Sequence, residues 1–89
     1  MQKSSVTISN RLGLHARASA KLTKLAGGFA CDVHMTRNGR RINAKSIMGV
    51  MMLAAGMGSD VEIETDGADE AQAMTAIVAL IDDRFGEGQ

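Results

Sequence analysis

The chain has no proline, no tryptophan and no tyrosine, and only one cysteine and two histidines among its 89 residues. A lone Cys31 rules out an internal disulfide and fits a reducing compartment. The two histidines and the cysteine fall on different predicted elements, so no metal-ligand cluster is expected. No apolar run approaches the ~18 residues that a membrane span needs. The opening residues Met1-Gln2-Lys3-Ser4-Ser5 lack the apolar stretch of a signal peptide, so a soluble cytoplasmic chain is expected. Neither a P-loop nor a dinucleotide-binding glycine fingerprint is present. Aromatic residues are limited to Phe29 and Phe85, which leaves no stacking platform for nucleic acid.

What is present suits one small domain over residues 1–89. A chain of this size buries roughly 60–65% of its unfolded surface, enough for a single core. Hydrophobic residues make up 45% of the sequence. With so few aromatics, the core must be built from Leu, Ile, Val, Met and Ala. Seven methionines supply adaptable filling. The net charge is zero, yet residues 1–59 carry +8 and residues 60–89 carry −8. A basic face suits an acidic partner or a phosphate. The plainer alternative is that folding interleaves the two parts and neutralises them.

Periodicity places seven elements. Val6 and Ile8 alternate with polar neighbours as a short strand. Asn10 to Leu14 form a loop. From Ala16 a helix runs with Ala18, Leu22, Leu25 and Ala26 on one face, and Gly27-Gly28 stops it in a left-handed cap. Cys31, Val33 and Met35 make an apolar strand face, with His34 on the other side. Asn38-Gly39 is a hairpin signal, because both central residues of a type I′ turn need positive φ. Arg40 to Ala44 return with Ile42 and Ala44 inward. Ser46 caps a short helix over Ile47 to Met52. Val61, Ile63 and Thr65 mark a fourth strand. Asp69 with Gln72 resembles a capping box, and Met74, Ile77, Val78, Ile81 and Phe85 form the stripe of a last helix, stopped by Gly86. The β-α-β-β-α-β-α order predicts an open-faced α+β sandwich, one antiparallel sheet covered on one side by helices. A ferredoxin-like arrangement uses the same first six elements and stands as the rival.

His15 sits just before the first helix, where unpaired backbone amides and the helix dipole make an anion site. A neutral imidazole there is a nucleophile beside an anion cradle. Arg17, in the first turn, offers a fork of donors to phosphate oxygens. The pair is therefore a candidate phosphoryl acceptor, set against an exposed cap histidine beside a solvated arginine. Ser46 is either a phosphorylation site at a helix start or a plain N-cap. Met48, Met51 and Met52 make either an exposed docking patch or core filling. Residues 10 to 25 hold no acid, as a site for incoming phosphate requires.

The stretch from Asn10 to Ala20, Asn-Arg-Leu-Gly-Leu-His-Ala-Arg-Ala-Ser-Ala, resembles the active-site segment of HPr. HPr is the histidine-containing phosphocarrier of the bacterial phosphoenolpyruvate-dependent phosphotransferase system. The stretch Asn43-Ala44-Lys45-Ser46-Ile47-Met48-Gly49-Val50-Met51-Met52-Leu53 resembles the segment around that family's regulatory serine. Length, element order and the Asn38-Gly39 hairpin match as well. The resemblance implies an open-faced sandwich with four antiparallel strands and three helices on one face. It implies phosphorylation of His15 on Nδ1 by Enzyme I, steadied by Arg17, and transfer to IIA domains of sugar permeases or regulators. It implies Ser46 as the site of an HPr kinase/phosphorylase. Docking falls to the first helix (Ala16, Ala20, Lys24) and to Ile47–Met52, including Met48 and Met51. No cofactor, metal, nucleic acid or membrane enters this scheme, and a monomer acting as carrier rather than stand-alone catalyst is expected. Many family members carry proline where this chain has Ala18, a position in the first turn that tolerates either. The alternatives are a nitrogen-type or regulatory phosphocarrier, and a small nucleic-acid-binding domain.

Overall fold

A computed structural model of the chain describes residues 1–87, so the last two residues of the expected 1–89 domain lie outside the described residues. Asn38 (φ 50°) and Gly39 (φ 81°) supply the two positive φ values that the hairpin signal demands. They join β2 (Asp32–Arg37) to β3 (Arg40–Asn43). β1 (Gln2–Thr7) and β4 (Asp60–Asp66) complete one antiparallel sheet in the order β1-β4-β2-β3. Register sets Met35 between Ile42 and Ile63, and Val6 opposite Val61. Val33, Met35, Val61, Ile63 and Thr65 thus share a buried face. The helices are α1 (Ala16–Gly27), α2 (Ile47–Met52) and α3 (Glu70–Asp82). They cover that face through Ala18, Leu22, Ala26, Val50, Ala73, Met74, Ile77 and Ile81, all buried. Each such Leu or Ile contributes roughly 1.5–3 kcal/mol by leaving water. The architecture is the open-faced sandwich, and the strand order decides against the ferredoxin-like rival.

The uncovered sheet face is where the two charge blocks meet. Glu64 takes Arg41 at 3.1 Å and Lys3 at 3.9 Å there, and at the sheet's end the amino group of Met1 lies 2.9 Å from Glu70 at the start of α3. Arg41 chiefly holds the Glu64 carboxyl below the usual carboxylate range. Arg11, Arg17, Lys21 and Lys24 stay exposed on the helical side. Neutralisation is therefore partial, and the site side stays basic.

Four local expectations are corrected. β1 begins at Gln2 rather than near Val6, because backbone pairing with β4 organises a stretch whose side chains carry little apolar alternation. α1 ends through Gly28 at φ −78°, a right-handed rather than left-handed cap, with its N–H donating to the carbonyls of Leu25 and Ala26. Asp69 makes no cap with its side chain. Its carboxylate instead accepts the backbone N–H groups of Ala30 and Cys31, both at 2.8 Å, and ties α3 to the start of β2. Phe85 is buried but lies beyond α3, in a turn over Arg84–Gly86 whose backbone is left-handed.

Candidate functional site

The loop before α1 is built on a buried asparagine. Asn10 is fully buried, and its Nδ2 donates to the carbonyl of Gly13 at 2.8 Å. Gly13 has φ +63°, and a Cβ there would meet the Ala55 carbonyl oxygen at 2.5 Å. Only glycine fits that backbone turn and that approach together. Leu14 then donates its N–H to the same Ala55 carbonyl at 2.9 Å and packs into the core. With both neighbours fixed, the chain enters α1 at a set angle.

His15 is the N-cap of α1. Its backbone is extended (φ −70°, ψ 178°), and its carbonyl accepts the Ser19 N–H at 2.9 Å, the first bond of the helix. Its Nδ1 accepts the Arg17 N–H at 3.3 Å. The ring therefore does the work that Ser or Asp does at most helix starts, and it points Nδ1 at the amide-rich end. The side chain is 27% exposed, so the ring stands at the surface rather than in the core. Ser19 secures the turn from beneath, its hydroxyl donating to the Leu14 carbonyl at 3.0 Å. Ala18 is buried in that same turn.

The other ring nitrogen has a partner that sequence analysis missed. Nε2 lies 2.6 Å from Oε2 of Glu87, which is 17% exposed. The second carboxylate oxygen of Glu87 accepts Asn10 Nδ2 at 3.1 Å. His15, foremost, and then Asn10 hold the Glu87 carboxyl below its ordinary range. A carboxylate only accepts, so Nε2 carries the proton and Nδ1 keeps its lone pair. The expectation of an acid-free surround holds for residues 10 to 25, but the tertiary fold brings in one acid from the far end of the chain. Arg11, Arg17 and Lys21 line the same open depression as His15 and Glu87.

The remaining expected residues fall on neighbouring surface. Ala16, Ala20 and Lys24 are exposed on α1. On α2, Ile47, Met48, Met51 and Met52 are 40%, 69%, 43% and 55% exposed, and Val50 turns inward. These three methionines are thus surface, whereas Met35 and Met74 fill the core. Leu12, also exposed, extends the apolar surface at the site and carried no sequence signal beyond its loop position. Ser46 is exposed at the N-cap of α2, its Oγ accepting the Gly49 N–H at 3.1 Å. Among the described residues, no group of three or more metal-ligating side chains stands together, and no helix is long and apolar enough to cross a membrane.

The fold and this site define a class: a small open-faced α+β sandwich that presents a partly exposed imidazole at a helix N-terminus. Residues 2–83 match the family model of the PTS HPr component phosphorylation site. The chain is 66% identical to the phosphocarrier protein HPr of Cupriavidus necator, over the full length of both. Its structure superposes on the crystal structure of an HPr from Thermoanaerobacter tengcongensis with a TM-score of 0.95 at 38% identity, covering 98% of each chain. It also matches an HPr dimer from that organism with a TM-score of 0.79 at 38% identity, covering 98% of this chain and all of the other. The chain belongs to the HPr family, the phosphocarriers of the phosphotransferase system.

Proposed function

We propose that His15 is the phosphoryl acceptor of this phosphocarrier, taking the group on Nδ1 from Enzyme I and passing it to IIA domains. The observation that carries this reading is the orientation of the ring, with Nδ1 facing the start of α1 and Nε2 tied to Glu87. The chemistry asks little beyond presenting a nucleophile and neutralising charge. Nδ1 attacks phosphorus as the bond to the donor breaks. The amide now on Nδ1 and its neighbours in the first turn then face phosphate oxygens. Arg17 adds its guanidinium fork to those oxygens. Exposure of the ring keeps the phosphoryl group accessible for the next transfer.

Ile47, Met48 and Met51 with Ala16, Ala20 and Lys24 form the docking face for both partners, apolar at α2 and basic along α1. Ser46 is the regulatory position, addressed by an HPr kinase/phosphorylase where the host has one. Its phosphate would add about −1.5 to −2 charge at the edge of this face. The chain acts as a single cytoplasmic domain and as a monomer, which sedimentation at working concentration tests.

Incubation with Enzyme I and labelled phosphoenolpyruvate should yield an acid-labile label on the wild-type chain. His15→Ala should take none while keeping its fold. Acid-stable label, or full labelling of His15→Ala, would place the acceptor elsewhere.

A further inference from the structure

The last described turn is built against local preference. Arg84 (φ 55°), Phe85 (φ 56°) and Gly86 (φ 75°) stand in succession in the left-handed region. Two of them are not glycine, a costly conformation for side chains with a Cβ. Two contacts tie Phe85 to the rest of the fold. Phe85 is 1% exposed in the core, and Lys21 Nζ donates to the Phe85 carbonyl at 2.7 Å. The effect of reversing the chain here is to bring Glu87 back over the start of α1, onto His15 and Asn10.

We infer that Glu87 is a positioning residue for phosphoryl transfer, fixing the His15 tautomer and balancing the charge that the ring acquires. The inference rests on His15 being the acceptor. In the resting state the carboxylate holds the proton on Nε2, so the lone pair stays on Nδ1. During transfer the Nδ1 lone pair forms the bond to phosphorus. The bond between phosphorus and the donor's leaving atom breaks, and its electron pair stays with the donor. No proton leaves Nε2, so the phosphorylated ring is a cation. Its charge lies 2.6 Å from the Glu87 carboxylate, in a charge-assisted hydrogen bond stronger than the one before transfer. Glu87 thereby stabilises the phosphorylated carrier relative to its donor. It does so from the side of the ring away from the phosphate, where it repels the incoming group less than a carboxylate beside Nδ1 would.

The test compares the wild-type chain with Glu87→Gln and Glu87→Ala, each carrying ¹⁵N-labelled histidine. Thermal melts first establish that the variants are folded. In the wild-type spectrum at alkaline pH, His15 should show a protonated Nε2 with a slowly exchanging proton and an unprotonated Nδ1. Glu87→Gln, whose amide oxygen still accepts, should keep this signature; Glu87→Ala should lose the slow proton. With purified Enzyme I and phosphoenolpyruvate, both variants should be labelled. Their equilibrium ratio of phosphorylated to free carrier should fall about tenfold, the value of one charge-assisted bond. An equilibrium ratio unchanged in both variants would overturn the inference, as would a proton on Nδ1 in the folded wild type. Absence of label on wild-type His15 would instead overturn the acceptor assignment, so the two failures are distinct.

Discussion

Gly13 and Ala55 approach so closely that a Cβ on the glycine would stand 2.5 Å from the Ala55 carbonyl oxygen. The loop that presents His15 is therefore seated on the segment following α2. Gly13→Ala forces both a left-handed alanine and a backbone clash. It should destabilise the fold by roughly 2–4 kcal/mol, read as a lower urea midpoint. The His15 site should lose activity in step. A variant as stable as wild type would mean that the loop does not depend on this seat.

Acid stability should depend on Asp69. The Ala30 amide first, and then contacts to Cys31, hold its carboxyl below the ordinary range. The folded pKa lies below the unfolded one, so the contribution is full above the unfolded value, ~3.9, and is lost as pH falls through the folded value. Asp69→Asn should have a lower urea midpoint than wild type at pH 7, and the gap should close below about pH 4. A gap that stays constant with pH would show that the charge plays no part.

At Ser46, stability and regulation should separate. Ser46→Ala removes the bond to the Gly49 amide and should cost about 1 kcal/mol. Ser46→Asp retains an acceptor and places a negative charge at the helix start, so its stability should match or exceed that of wild type. It should nevertheless slow transfer to His15. Equal transfer rates for Ser46→Asp and wild type would remove the regulatory role.

On the proposed reading Arg17 serves the phosphate rather than the fold, since it is exposed in the first turn of α1. Arg17→Ala should leave the melting temperature within a degree or two, since surface changes cost little. The rate of phosphorylation of His15 should fall about ten- to a hundred-fold, as for loss of a hydrogen bond to a charged group. A rate within twofold of wild type would assign the arginine no role in transfer.

How much of this was legible in the sequence depends on the range of each interaction. Asn38-Gly39 and the Ser46 cap act within four residues, and composition alone marks them. The sheet faces follow from alternation in β2 and β4. His15 was legible through its loop–helix boundary and the resemblance around it. Asn10 and Glu87 were not. A buried loop asparagine looks like any turn residue. Glu87 reaches the imidazole across 72 positions only because Arg84 and Phe85 adopt left-handed backbone that no propensity predicts. Asp69 carried a correct helix-start signal but spends its carboxylate across the fold, on amides 38 and 39 residues away. Tertiary contacts outcompeted the local cap.

The proposed bond between phosphorus and Nδ1 of His15 is read directly by nuclear magnetic resonance of the phosphorylated chain. With ¹⁵N-labelled histidine, a one-bond phosphorus–nitrogen coupling should appear at Nδ1 of His15, with Nε2 still protonated. Coupling at Nε2, at His34 or at no histidine would contradict the account.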